Sequence, residues 1–190
     1  MERIRVYLMS LKFSKCEMLE MEKMLSSFLE REKIQLSIPV DIFELASSLG
    51  FDIRGAELKG SLEGLLLVNE HIEKIEPFES NKLIAYNCQK EIFSKKFIVA
   101  HELMHYVIEK SNSQYKKVVV AARDHEQSYS DDVGEQKMDY LAASLFIPRD
   151  DLKKRYENLK KDEISCEEVA TVYNVDFELA KRRIEEVFGE

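Results

Sequence analysis

The alternation of apolar and polar positions changes character along this 190-residue chain. Near the N-terminus, Met18, Met21, Leu25 and Phe28 recur at helical spacing, with Leu29 beside them. "KCEMLEMEKMLSSFLEREKI" therefore reads as a helix with a core-facing stripe. The preceding "MERIRVYLMSLK" alternates only in part and fits either a strand or the lead-in to that helix. "IPVDIFELASSLGF" reads as a short helix that starts after Pro39 and is stopped by Gly50. Between residues 51 and 90 come short apolar runs bounded by turn formers: "FDIRGAEL", "EGLLLVNE" and "NKLIAYN". They read as three strands of a small antiparallel sheet.

From about Ser94 onward the pattern predicts helices to the end of the chain. "SKKFIVAHELMHYVIEK" is the first. "DDVGEQKMDYLAASLFIP" is the second, starting at Asp131 or Asp132 and stopped by Pro148. "RDDLKKRYENLKK" is amphipathic through Leu152, Tyr156 and Leu159. "SCEEVATVYN" opens with a capping box of Ser165 and Glu168, and "DFELAKRRIEEVF" closes the chain.

Composition narrows the class. Hydrophobic content of 45% and charged content of 34% fit a soluble globular protein with one main domain. A formal charge of −8 disfavours a general nucleic-acid binder, since phosphate contact needs a basic face. The last two helices have the outline of a helix-turn-helix, and Lys181, Arg182 and Arg183 could touch phosphate. The acidic surroundings favour a solvated helix face instead. Three widely spaced cysteines, Cys16, Cys88 and Cys166, fit reduced thiols better than disulfides or a thiolate metal site. No run approaches the roughly 20 apolar residues of a membrane span, and the start of the chain does not read as a secretory signal. The expected compartment is the cytoplasm.

One apolar helix carries unexpected chemistry. "AHELMHYVIE" places His101 and His105 four residues apart, on one side of the helix and one turn from each other. Both imidazoles can bind one metal ion. Glu102 is rotated by about 100° from His101, so it flanks the ligands and can hold a water that the metal acidifies. A catalytic zinc needs a third protein ligand and one open position. In "GEQKMDYLAASLF", the core stripe of Met138, Leu141, Ala142 and Leu145 extends back by one turn to Glu135. A carboxylate there is costly unless paired or bound to a cation. Asp139 lies on the same side and can hold the far nitrogen of a ligating histidine. A surface position for both carboxylates at the margin of the stripe is the competing reading. His71 and His125 fall in polar connections. His125 or Tyr129 could reach the cleft to steady an oxyanion, but solvated loop positions are the simpler reading.

"KKFIVAHELMHYV", followed some thirty residues later by "EQKMDYLAASLFIP", resembles the ImmA/IrrE metallopeptidases. The resemblance runs over roughly residues 36 to 188 and takes in "IPVDIFELASSLGFDI" and "VATVYNVDFELAKRRIEEV". It implies zinc held by His101, His105 and Glu135, with Glu102 as the catalytic glutamate. It also draws the C-terminal helix pair into the peptidase domain. Met104 stands where the family usually has glycine. Met138 and Asp139 replace a common Ala-Asn pair, and Leu141 replaces phenylalanine.

The resulting expectation is an α+β protein. A three-stranded antiparallel sheet packs on a mainly helical, zincin-like domain over residues 36–190, with residues 1–35 as an N-terminal extension. The implied activity is a zinc endopeptidase whose protein substrate is a helix-turn-helix transcriptional repressor of a mobile element or stress regulon. No direct nucleic-acid or membrane partner is expected. The alternative is a metal-containing module that sequesters a regulator without cutting it, but an intact Glu102 favours the enzyme. Residues 83 to 87, just before the metal helix, are expected either as the edge strand that pairs with substrate or as an interior strand.

Overall fold

The computed structural model describes residues 13–112, 118–124 and 133–189. Among the described residues the order is α1 (Lys15–Arg31), α2 (Ile42–Ser48), β1 (Asp52–Ala56), β2 (Leu62–Asn69), β3 (Lys82–Asn87), α3 (Ile92–Ser111), β4 (Val118–Asp124), α4 (Val133–Phe146), α5 (Arg149–Arg155), α6 (Cys166–Tyr173) and α7 (Phe177–Phe188). The fold is α+β, as the patterning predicts.

The sheet differs from expectation in two ways. It has four strands in the order β1-β3-β2-β4. It is mixed, because β1 runs parallel to β3 while β2 is antiparallel to both β3 and β4. Of the two readings of residues 83 to 87, the interior one holds: β3 is paired on both sides and offers no edge. The fourth strand, "VVVAARD", interrupts the helical reading of the C-terminal half. Its β-branched valines are stiff at χ1 and suit a pleated surface, and β2 supplies the ladder.

One face of the sheet meets α3. Ile53, Ile84, Leu66 and Ala121 stand in register across the four strands, and all four belong to the main core or pack on it. From Phe97 to Met104 every residue of α3 is buried, so this helix is surrounded rather than laid on a surface. α4 packs beside it, buried from Met138 and continuously from Tyr140 to Phe146. These two central helices carry the histidine pair and the carboxylate pair.

The termini of the helices follow local chemistry. Ser14 and Glu17 form a reciprocal capping box on α1, and Asp41 caps α2 through its carboxylate. On α6 the Ser165 side chain accepts from the Glu168 N–H, while its hydroxyl donates to Glu167. α5 ends at Arg155, one turn short of the amphipathic pattern. Leu159 is exposed, so no burial rewards continuing the helix. The cysteines are free. No helix among the described residues is long and apolar enough to cross a membrane.

The basic residues of α7 do not form a phosphate-facing stripe. Arg183 is fully buried, and the Arg182 guanidinium turns back to Glu186. Arg183 donates to Glu22 of α1 at 2.6 Å, to Glu186 at 2.9 Å and to the Ile147 carbonyl at 2.9 Å. Glu22 also accepts from Arg149 at 2.7 Å and from the Tyr140 hydroxyl at 2.6 Å. One carboxylate of α1 thus joins α4, α5 and α7.

Candidate metal centre

The 3.6-residue repeat of α3 turns His101 and His105 to the same side, with ring centroids 5.1 Å apart. α4 brings Glu135 to meet them. His101 Nε2 is 3.0 Å from Glu135 Oε2, and His105 Nε2 is 3.6 Å from Glu135 Oε1. One ligand atom from each of the three residues lies within 4.8 Å of the other two. Donors around a tetrahedral zinc at ~2.0–2.1 Å are spaced by ~3.3 Å, so the observed separations fit a single ion with little rearrangement. The donor set, two imidazoles and a carboxylate, is one that catalytic zinc takes.

Asp139 is one helical turn beyond Glu135. Its Oδ1 lies 2.7 Å from His101 Nδ1, on the far side of the ring from Glu135. With the ring proton on Nδ1, that N–H donates to Asp139 and Nε2 faces the centre. His101 is almost wholly buried, so this pairing holds its ring orientation. Two carboxylates facing one buried imidazole call for a positive charge between them, either a second proton on the ring or a metal ion. The hydrogen bond with His101 holds the Glu135 carboxyl below the ordinary carboxylate range. Burial opposes that shift, the charges of His101 and His105 add to it, and Asp139 resists it. Glu135 is therefore anionic at neutral pH, the state a metal ligand needs.

Glu102 projects from α3 about 100° away from His101 and is completely buried. It therefore flanks the triad. The structure brings together His101, His105, Glu135 and Asp139, and places Glu102 in the turn between the two histidines. His71 is exposed, with its N–H donating to the Asn69 side chain, and takes no part. His125 and Tyr129 lie outside the described residues.

Two features were missed in the sequence. One is β4, signalled by five β-branched or small apolar residues in succession. The other is Gly64 on β2. A glycine inside an apolar strand marks a bulge or a close backbone approach, and both are found there.

A buried HExxH helix faced by a carboxylate-bearing helix is the arrangement of a metallopeptidase. Residues 46–185 match the peptidase family described as the IrrE N-terminal-like domain, and the chain belongs to that family. Compared with curated proteins, the chain matches none. The match excludes α1, although Glu22 of that helix is bonded to Tyr140, the neighbour of Asp139 on α4.

The role of Asp139 can be isolated. Asp139→Ala is expected to weaken zinc binding by about 10–100-fold without unfolding the chain, the usual cost of losing a partner behind a ligating histidine. Competition with a chromophoric chelator measures it. Unchanged affinity would mean that the 2.7 Å contact does not orient His101.

Proposed function

We propose that this protein is a zinc-dependent endopeptidase that cuts a helix-turn-helix transcriptional repressor and so releases the genes it silences. The observation that carries the reading is the convergence of His101, His105 and Glu135 with Glu102 in the same turn of α3. When bound, zinc supplies Lewis acidity, making a water nucleophilic near neutral pH and drawing charge from a carbonyl oxygen. His101, His105 and Glu135 hold the ion, and Asp139 keeps the His101 ring in place. Glu102 accepts the proton of the attacking water on its carboxylate and delivers it to the nitrogen of the leaving amine. A repressor substrate sets this work in the cytoplasm.

The substrate must reach the centre in extended form. Among the described residues β4 pairs only with β2, and its outer edge there can exchange main-chain hydrogen bonds with an extended chain. Val118 and Val120 are exposed along it. β4 thus takes the part that the edge reading gave to residues 83 to 87. Proline cannot donate to a ladder. Proline at whichever of Val120 or Ala121 directs its N–H outward is expected to lower cleavage about tenfold or more, with zinc content and fold retained. Equal cleavage by both folded proline variants would remove the edge from substrate binding.

The decisive experiment incubates the zinc-loaded chain with the helix-turn-helix repressor encoded beside it and looks for fragments by mass spectrometry. Fragments with the parent and none with Glu102→Gln are expected. A stable complex without fragments would instead make the protein a sequestering module.

A further inference from the structure

Gly64 occupies an unusual place. It lies on β2, opposite Tyr86 of β3 and Arg123 of β4, just past the register shift between Leu62 and Gly64. Its backbone is not among the left-handed glycines, which are Gly50 and Gly60, so conformational freedom does not explain the residue. Space does. A Cβ built on Gly64 would stand 2.6 Å from Glu102 Oε1, 3.1 Å from Glu102 Cγ and 2.7 Å from Ile98 Cγ2. A side-chain Cβ essentially never comes within 3.0 Å of a heavy atom packed against it, so the 2.6 and 2.7 Å separations cannot be kept with a side chain at residue 64, and the 3.1 Å one is tight.

The two residues it meets differ in how they can respond. Ile98 and Glu102 are four residues apart and project from the same side of α3. Ile98 is β-branched and buried within a helix, where one χ1 rotamer strongly dominates. Glu102 has three rotatable side-chain bonds, and the nearest approach is made by its terminal oxygen. Any side chain at residue 64 would displace that oxygen first.

We propose that Gly64 is a positioning residue for Glu102: its missing side chain lets the β2 backbone bound the carboxylate, setting where the general base stands beside His101 and His105. This rests on the reading of Glu102 as the general base. The competing account is that Gly64 serves only to let α3 pack closely on the sheet through Ile98.

The two accounts are separated by relieving the Ile98 contact. Ile98→Ala removes the methyl that clashes, and Gly64→Ala/Ile98→Ala then leaves Glu102 as the group to be displaced. The probe is cobalt(II) alone, bound to each purified full-length chain, with its visible absorption followed against pH. The binding constant is measured in parallel. Glu102→Gln is expected to move the midpoint of the spectral change by about one pH unit, the usual scale for losing a neighbouring charge. Gly64→Ala/Ile98→Ala should move it the same way by at least half as much, with metal affinity within about twofold of Ile98→Ala. Adding Gly64→Ala to Ile98→Ala/Glu102→Gln should change nothing further, because the two changes act through one group. The proposal is overturned if Gly64→Ala/Ile98→Ala titrates like Ile98→Ala while Glu102→Gln is shifted. It is equally overturned if the double variant fails to fold, which would place the close approach in packing alone. A Glu102→Gln spectrum identical to the parent would bring down the general-base reading itself, and this proposal with it.

Discussion

Glu102→Gln is expected to keep its zinc and its fold while peptide cleavage falls by about 10²–10⁴-fold, the range that a positioned general base contributes. Glutamine matches glutamate in shape, so the buried space beside Gly64 stays filled. It cannot take a proton at neutral pH. The loss should appear in kcat more than in KM, since the proton moves only as the bond is made and broken. The ligand variants should behave in the opposite way. His101→Ala, His105→Ala and Glu135→Ala each remove one of three converging donors, and each should abolish tight zinc binding and cleavage together. Metal content by elemental analysis, read beside fragment formation, distinguishes the two patterns. Parent-like cleavage by Glu102→Gln would take Glu102 out of the mechanism. Parent-like zinc binding by Glu135→Ala would move the third ligand elsewhere, with Asp139 the nearest alternative.

The grouping of the candidate site's side chains was more legible than the sheet. His101, Glu102 and His105 could be read directly because helical spacing alone fixes their relation. Glu135 could be read because a carboxylate extending a core stripe needs a reason to be there. The same argument applies to two residues where it was not used. Glu22 lies within the stripe of Met18, Met21 and Leu25 on α1, and Arg183 lies among Leu179, Ala180, Ile184 and Val187 on α7. Both are charges on apolar faces, and they answer each other across 161 positions of sequence. Sheet order was not legible for a different reason. A strand's pattern shows which face is buried but not which strand lies next to it. The five residues of β1 show no clean alternation of burial that would reveal a parallel partner. β3 looked like a possible edge only because it precedes α3 in the chain. β4 was overlooked because neighbouring helical signals were extended through "VVVAARD", against its valine run.

That buried pairing leads to the largest expected effect on stability. Glu22 meets the guanidinium groups of Arg149 and Arg183 and the Tyr140 hydroxyl, all within 2.7 Å. Arg183 is fully buried, so without Glu22 it would keep Glu186 as its carboxylate partner, and Arg149 would lose its ion pair to α1. Breaking a buried pair from one side typically costs about 3–5 kcal/mol, and here the cost falls mainly on Arg149, whose Glu22 ion pair is lost, while Arg183 is still matched by Glu186. Glu22→Ala is therefore expected to lower stability by about that amount, or roughly 6–20 °C in Tm for a chain of this size. Glu20→Ala, an exposed change two residues away, should stay within about 0.5 kcal/mol of the parent. The pH dependence follows from the carboxyl itself. Burial pushes Glu22 up, but the charge of Arg183 and hydrogen bonds from Tyr140, Arg183 and Arg149 outweigh it, leaving the group below its ordinary value. A carboxylate depressed in the folded state stabilises fully above its unfolded pKa of about 4.3, and that contribution is lost as pH falls through the folded value. The gap between the parent and Glu22→Ala should thus be widest near neutral pH and close in acid below about pH 4. Because the contacts run from α1 to α4, removing residues 1–35 should destabilise the chain at least as much as Glu22→Ala does. Denaturant unfolding of the three chains at pH 7 and pH 3.5 tests the argument, and a Glu22→Ala variant as stable as the parent at pH 7 would show that the α1 contacts contribute nothing.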